Sequence, residues 1–158
     1  MRYLFTLFSL ITFLSCSTAQ QPYNPDADAK KEIQTAVTKA AQSNKHVLLI
    51  IGGNWCPWCV KLNNYINEET EVAQLLAQEF EVVKVNYSKE NKNAELLTEL
   101  EFPQRFGFPV LVVLDENGKR IHTQNSAYLE EDKGYSKDKV SGFLKKWTSG
   151  AIDPTNYK

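Results

Sequence analysis

Val47 to Ile51 reads Val-Leu-Leu-Ile-Ile, an unbroken branched apolar run. A strand with one wet face alternates apolar and polar residues. A run without alternation needs cover on both faces, which helices packed on either side of a sheet supply. This one stretch narrows the chain to an α/β sandwich with a strand in its middle layer. Directly after it come the turn Gly52-Gly53-Asn54 and then Trp55-Cys56-Pro57-Trp58-Cys59.

The flanking pattern agrees with that class. Asp26 or Asp28 caps a helix whose Ile33, Ala36, Val37, Ala40 and Ala41 form one apolar stripe, ending near Ser43-Asn44. Cys59, Leu62 and Ile66 repeat at helical spacing, so a helix opens at the cysteines with Cys59 on its buried side. A short helix over Glu71 to Glu79 leads to a strand at Val82 to Asn86, and a further helix spans about Asn91 to Leu100. Phe106-Gly107-Phe108-Pro109 breaks the pattern before a third strand, Val110 to Leu114, and Phe102, Phe106 and Phe108 read as packing beneath that proline loop. The turn Asp115-Glu116-Asn117-Gly118 makes a hairpin into a fourth, Lys119 to Thr123, antiparallel to the third. Asn125 to Tyr135 reads as an irregular loop with Glu130-Glu131-Asp132 in solvent. Ser136 caps a last helix with Val140, Phe143, Leu144 and Trp147 on its core face, which Gly150 and Pro154 end. The order specifies a three-layer α/β/α sandwich with a mixed central sheet.

With 158 residues, the chain has material for one core and little more. Its net charge of −1 and scattered ionic residues offer no electrostatic case for nucleic acid. Arg2 and the apolar run Tyr3 to Leu14 have the form of a signal peptide, too short for a membrane span. Phe13-Leu14-Ser15-Cys16 resembles a bacterial lipobox, making Cys16 the lipidated first residue, and this is the favoured reading; Ser17-Thr18-Ala19 is an ordinary small-x-small cleavage site that would discard Cys16. The expected division is a signal peptide over 1–16, a tether over 17–25 and a folded domain over 26–158. Either cleavage sends the domain to the periplasm or cell envelope, where disulfides persist. Cys56 and Cys59 are the two cysteines left to the fold.

Proline is favoured at the first helical position, so Pro57 sets Cys56 at the N-cap. A sulfur there faces amides without helical partners and the positive end of the helix dipole, and a thiolate is stabilised by both. Cys59 follows one turn on, within disulfide reach. Cys56 is thus expected as the exposed attacker and Cys59 as the buried resolver in thiol–disulfide exchange. Trp58 is expected to form apolar surface near the sulfur for a peptide substrate, and Trp55 to pack or to contact that substrate.

From Asp26 to Thr148 the chain resembles the thioredoxin superfamily. The resemblance rests on Trp55-Cys56-Pro57-Trp58-Cys59 after a buried strand, "VVKVNY" at Val82 to Tyr87, Phe108-Pro109 before the next strand, and "SKDKVSGFLKKW" as the closing helix. It implies a thioredoxin fold, a cis Pro109 against the cysteines, and a Phe108 backbone that pairs with substrate. It also implies protein thiols and disulfides as substrates, a redox partner protein, and no dissociable cofactor. Two departures stand out: Ile50 holds the place of the buried aspartate that many thioredoxins use as proton acceptor, which leaves Lys84 without its family partner. The Pro-Trp dipeptide is nearer to glutaredoxins, yet no Gly-Gly-x-x-Asp glutathione segment follows the hairpin.

Other uses of a C-x-x-C remain to be weighed. Zinc needs about four ligands, and the further candidates are His46, roughly 16 Å from the motif along its strand, and His122, which reads as solvated on the edge hairpin. A structural disulfide would close a very short loop, where the chain-entropy gain is least. The reading reached is an extracytoplasmic thiol–disulfide oxidoreductase without a metal site. The alternative is a redox-inactive thioredoxin-like module of the cell envelope with a peptide-binding or structural role.

Overall fold

The computed structural model describes residues 21–158. The signal-peptide and cleavage expectations, with Cys16, Ala19 and the first residues of the tether, lie outside them. Helix α1 (Ala29–Ser43) starts at Asp28, whose side chain accepts the Lys31 N–H at 3.1 Å, and ends at Asn44 in the left-handed conformation. Strand β1 (His46–Gly52) is buried along its whole length. Helices α2 (Pro57–Glu68) and α3 (Thr70–Glu79) lead to β2 (Phe80–Asn86), then α4 (Ala94–Glu99), β3 (Val110–Leu114) and β4 (Arg120–Asn125).

The sheet order is β2-β1-β3-β4. β1 runs parallel to β2 and antiparallel to β3, which pairs antiparallel with β4. Alternate residues of the two central strands feed two cores. Val47, Leu49 and Ile51 join Val110, Val112 and Leu114 beneath α1 and α4. Leu48 and Ile50 join Leu111 and Val113 beneath α2, α3 and α5 (Lys137–Lys146). An unalternated apolar run is what two such cores require.

Several local expectations are corrected. Helix α4 is shorter than Asn91 to Leu100 because Asn91 and Asn93 fold the preceding segment into a turn. Asn91 Oδ1 accepts the Asn93 N–H at 3.1 Å, and Asn93 has φ 48°. The stretch read as an irregular loop contains a helical turn, Ser126–Leu129, and a small hairpin, β5 (Glu130–Glu131) with β6 (Gly134–Tyr135), reversed through Asp132 at φ 51°. The last helix stops at Lys146. Thr148 then caps a separate short helix, α6 (Ser149–Ile152), in which Gly150 is an internal residue rather than a terminator.

Ala41, placed on the buried stripe of α1, is exposed. His122 is half-buried rather than solvated, with its ring stacked on Trp147 at 4.2 Å between centroids. That stack leaves Trp147 half-buried, at the edge of the core rather than inside it. Phe102 and Phe106, read as packing under the proline loop, keep 53% and 39% exposure. Left-handed Glu101 and Phe102 turn the backbone outward at that point. Among the described residues no helix is long and apolar enough to cross a membrane.

Candidate functional site

The end of β1 aims the chain at the cysteines. Gly52 and Gly53 make the approach possible: a Cβ on Gly52 would stand 2.6 Å from Cys59 Sγ, and one on Gly53 would collide with the Trp55 indole nitrogen and stand 2.6 Å from the Tyr87 carbonyl oxygen. Pro57 opens α2, and Cys56 is its N-cap with extended φ −98° and ψ 109°. Cys56 Sγ accepts the Cys59 N–H at 3.2 Å, while the Cys56 carbonyl accepts the same N–H at 3.0 Å and that of Val60 at 3.2 Å. The two cysteines are joined in a disulfide with Cα atoms 5.2 Å apart.

Phe108-Pro109 is a cis peptide, as the family resemblance implies. The Phe108 carbonyl oxygen lies 3.6 Å from Cys56 Sγ. Two influences therefore meet at this sulfur. The amide and the dipole of a 12-residue helix favour a thiolate, whereas the carbonyl disfavours one. The amide is the nearer of the two and belongs to the helix start, so it is placed to stabilise a Cys56 thiolate once the disulfide is reduced.

Cys59 is wholly buried, as expected for the inner thiol, but Cys56 is itself only 5% exposed in the disulfide. The expectation of an exposed attacker is corrected to this extent. Phe108, Trp58 and Tyr23 pack against the pair. Tyr23 is 1% exposed although it falls within the stretch read as a tether. Its N–H donates to Asn54 Oδ1 at 3.1 Å, and Asn54 Nδ2 donates to its carbonyl at 2.7 Å. The packed part of the chain thus begins no later than Tyr23.

The two indoles differ in setting. Trp55 is 57% exposed, donates from Nε1 to the Tyr87 carbonyl at 2.6 Å and sets its ring at 82° to Phe108. With Tyr87, Ser88, Lys89, Glu90 and Lys92 it lines an open depression of about 400 Å³. Trp58 is half-buried, edge-on to Tyr135, with the Lys61 ammonium 4.3 Å from its ring centroid. Trp55, more than Trp58, is the surface indole. Tyr23, Tyr87 and Tyr135 escape a sequence reading because each reaches the site from a distant element; the cue available for Tyr23 was an aromatic residue isolated between Pro22 and Pro25.

Ile50 is 2% exposed in the α2/α3-side core, and Lys84 beside it in register donates to Asn63. Burial holds the Lys84 ammonium below its ordinary pKa. His46 is 1% exposed with Nδ1 2.7 Å from the Trp147 carbonyl oxygen. Among the described residues no group of three or more His, Cys, Asp or Glu is arranged to hold a metal ion.

A family model described as thioredoxin-like matches residues 28–116. The chain belongs to the thioredoxin-like family. It is similar to a crystal structure of a disulphide isomerase from Xylella fastidiosa, at 29% identity and a TM-score of 0.73, over 82% of this chain and 98% of that one. It is also 28% identical over 95 residues to the disulfide bond reductase DsbH of Chlamydia pneumoniae, covering 54% of this chain and 55% of that protein. The thioredoxin-like chain therefore spans about half the length of this curated relative. A redox protein from Chlamydomonas reinhardtii, 18% identical at a TM-score of 0.52, shares the fold.

Proposed function

We propose that this chain is an extracytoplasmic thiol–disulfide oxidoreductase acting on protein disulfides through Cys56 and Cys59. The observation that carries the reading is the Cys56 sulfur at the N-cap of α2, accepting an amide N–H and bonded to the residue one turn on. The naming of two relatives as a disulfide isomerase and a disulfide bond reductase supports the same chemistry.

In the reductive direction, the Cys56 thiolate attacks a substrate disulfide. A bond forms between Cys56 and one substrate sulfur while the other leaves as a thiolate. Cys59 then attacks Cys56 Sγ, closing the internal disulfide and releasing the first substrate sulfur. Oxidation of a substrate runs these steps backward, and a redox partner protein restores the pair by the same exchange. Trp55, Trp58 and the Phe108-Pro109 segment form the substrate platform. The chemistry needs no dissociable cofactor. The leader delivers the domain to the periplasm or envelope and is cut before Cys16, which stays as the lipid anchor; cleavage after Ala19 is the competing route.

Insulin reduction and reactivation of scrambled ribonuclease test the reading. Cys56→Ser abolishes activity, and Cys59→Ser accumulates mixed disulfides. Because the disulfide leaves Cys56 little exposed, reduction has to open access to its sulfur. Alkylation of the reduced protein at neutral pH is then faster than for an ordinary thiol, in proportion to its thiolate fraction. Equal behaviour of wild type and both variants would instead favour a peptide-binding module without redox activity.

A further inference from the structure

A buried cysteine that must carry a negative charge during exchange needs a hydrogen-bond donor, because burial alone penalises the thiolate. Cys59 is fully enclosed, and neither position associated with proton transfer in the family serves it here: Ile50 is apolar, and Lys84 donates to Asn63. The side chains around the pair are Trp58, Phe108 and Tyr23. Trp58 lies edge-on to Tyr135 and Phe108 stacks on Tyr87, which leaves the Tyr23 phenol.

A Cβ on Gly52 would be 2.6 Å from Cys59 Sγ and 2.9 Å from the Tyr23 hydroxyl oxygen, so sulfur and hydroxyl border the same small gap, kept open by the glycine. The two backbone hydrogen bonds to Asn54 fix Tyr23 at this place. We propose that the Tyr23 hydroxyl donates a hydrogen bond to Cys59 and stabilises its thiolate during disulfide exchange. The role rests on the exchange activity proposed above.

The step balances without a further reactant. When an incoming thiolate attacks the oxidised pair, its sulfur bonds to Cys56 Sγ, the Cys56–Cys59 bond breaks, and Cys59 leaves with the electron pair. The Tyr23 O–H turns toward that sulfur and keeps its proton. In the other direction the same stabilised thiolate attacks Cys56 in the mixed disulfide, and the bound partner's sulfur leaves. Burial, with a smaller contribution from Tyr135, holds the Tyr23 phenol well above its ordinary pKa, so it remains a donor throughout the neutral range.

The test titrates Cys59 in Cys56→Ser protein by thiolate ultraviolet absorbance, with and without Tyr23→Phe. Phenylalanine keeps the ring and removes the donor. The Cys59 pKa is expected to rise by about 1 unit or more, with a roughly tenfold slower resolving step at neutral pH in otherwise wild-type protein. A purely structural loosening would admit water and move the pKa the opposite way, so the sign discriminates. A site-specifically incorporated fluorotyrosine at position 23, a stronger donor of nearly the same shape, lowers the Cys59 pKa and decides the matter should Tyr23→Phe not fold. An unchanged or lowered pKa in folded Tyr23→Phe, or an unchanged one with fluorotyrosine, overturns the proposal. The titration uses no substrate. An inactive wild type whose Cys59 still responds to Tyr23 sinks the activity reading alone, and an active one whose Cys59 ignores Tyr23 sinks this proposal alone.

Discussion

Gly52→Ala is the sharpest test of how the cysteine pair is seated. The new Cβ would meet Cys59 Sγ at 2.6 Å, the Tyr23 hydroxyl at 2.9 Å and Cys59 Cβ at 3.2 Å, inside a wholly buried strand. None of these neighbours is the free end of a long side chain, so the strand or the helix start has to shift. Overpacking of this kind costs about 1–3 kcal/mol, and the reduced freedom of an unfolded alanine returns about 0.4–1 kcal/mol. The expected net loss is about 1–2 kcal/mol, or a Tm lower by about 2–8 °C for a chain of this size. Gly142→Ala is the internal control. It lies in α5 with nothing within 4 Å of an added Cβ, and should gain about 0.5–1 kcal/mol from helix propensity. Calorimetry of the oxidised proteins reads both. If Gly52→Ala melts with or above Gly142→Ala, the close seating of Gly52, Cys59 and Tyr23 is wrong.

Three further outcomes follow from the same contacts. His46→Ala removes a buried ring bonded to the Trp147 carbonyl and should lower stability by about 2–4 kcal/mol, read as a lower urea midpoint at unchanged m-value; a midpoint within error of wild type would deny that link between β1 and the end of α5. Trp55→Ala should leave the Tm within about 2 °C yet raise KM for a peptide disulfide roughly fivefold, because the indole is mostly exposed; an unchanged KM removes Trp55 from the platform. Lys137, and then Lys145, hold the Glu71 carboxyl below its ordinary pKa of 4.5. Its contribution is therefore complete above that value and disappears as pH falls through the lower folded pKa. Acid unfolding of Glu71→Gln at low salt should show a smaller loss across that window than wild type, and superimposable curves would refute the coupling.

How far the primary structure discloses this molecule depends on the range of the interactions involved. Val47 to Ile51 and Val110 to Leu114 were legible because two-sided burial leaves a local signature, an apolar run without alternation. Pro57 likewise announced the start of α2 and the capping position of Cys56 by local stereochemistry. Tyr23 was not legible, since its burial depends on Asn54 and Cys59, more than thirty residues away, and its own neighbourhood is polar and proline-rich. The outward Phe102 and Phe106 misled for the opposite reason. Hydrophobicity suggested packing, but the left-handed backbone at Glu101 and Phe102 and the helical turn Pro103–Phe106 after it leave both rings largely in solvent. His122 and Trp147 found each other across the fold, a pairing that periodicity does not encode.

The segment held in common with the family, 28–116, supplies β1, β2 and β3 of the sheet, both cysteines and the cis proline, while the edge strand β4 lies beyond it. Tyr23, which packs against the pair, and Tyr135, which lies edge-on to the neighbouring Trp58, come from beyond its ends. A lineage can therefore retune this centre by editing its margins while the inherited scaffold stays untouched. A recombinant version trimmed to the shared segment would carry the sulfurs but lose the surroundings that set their temper.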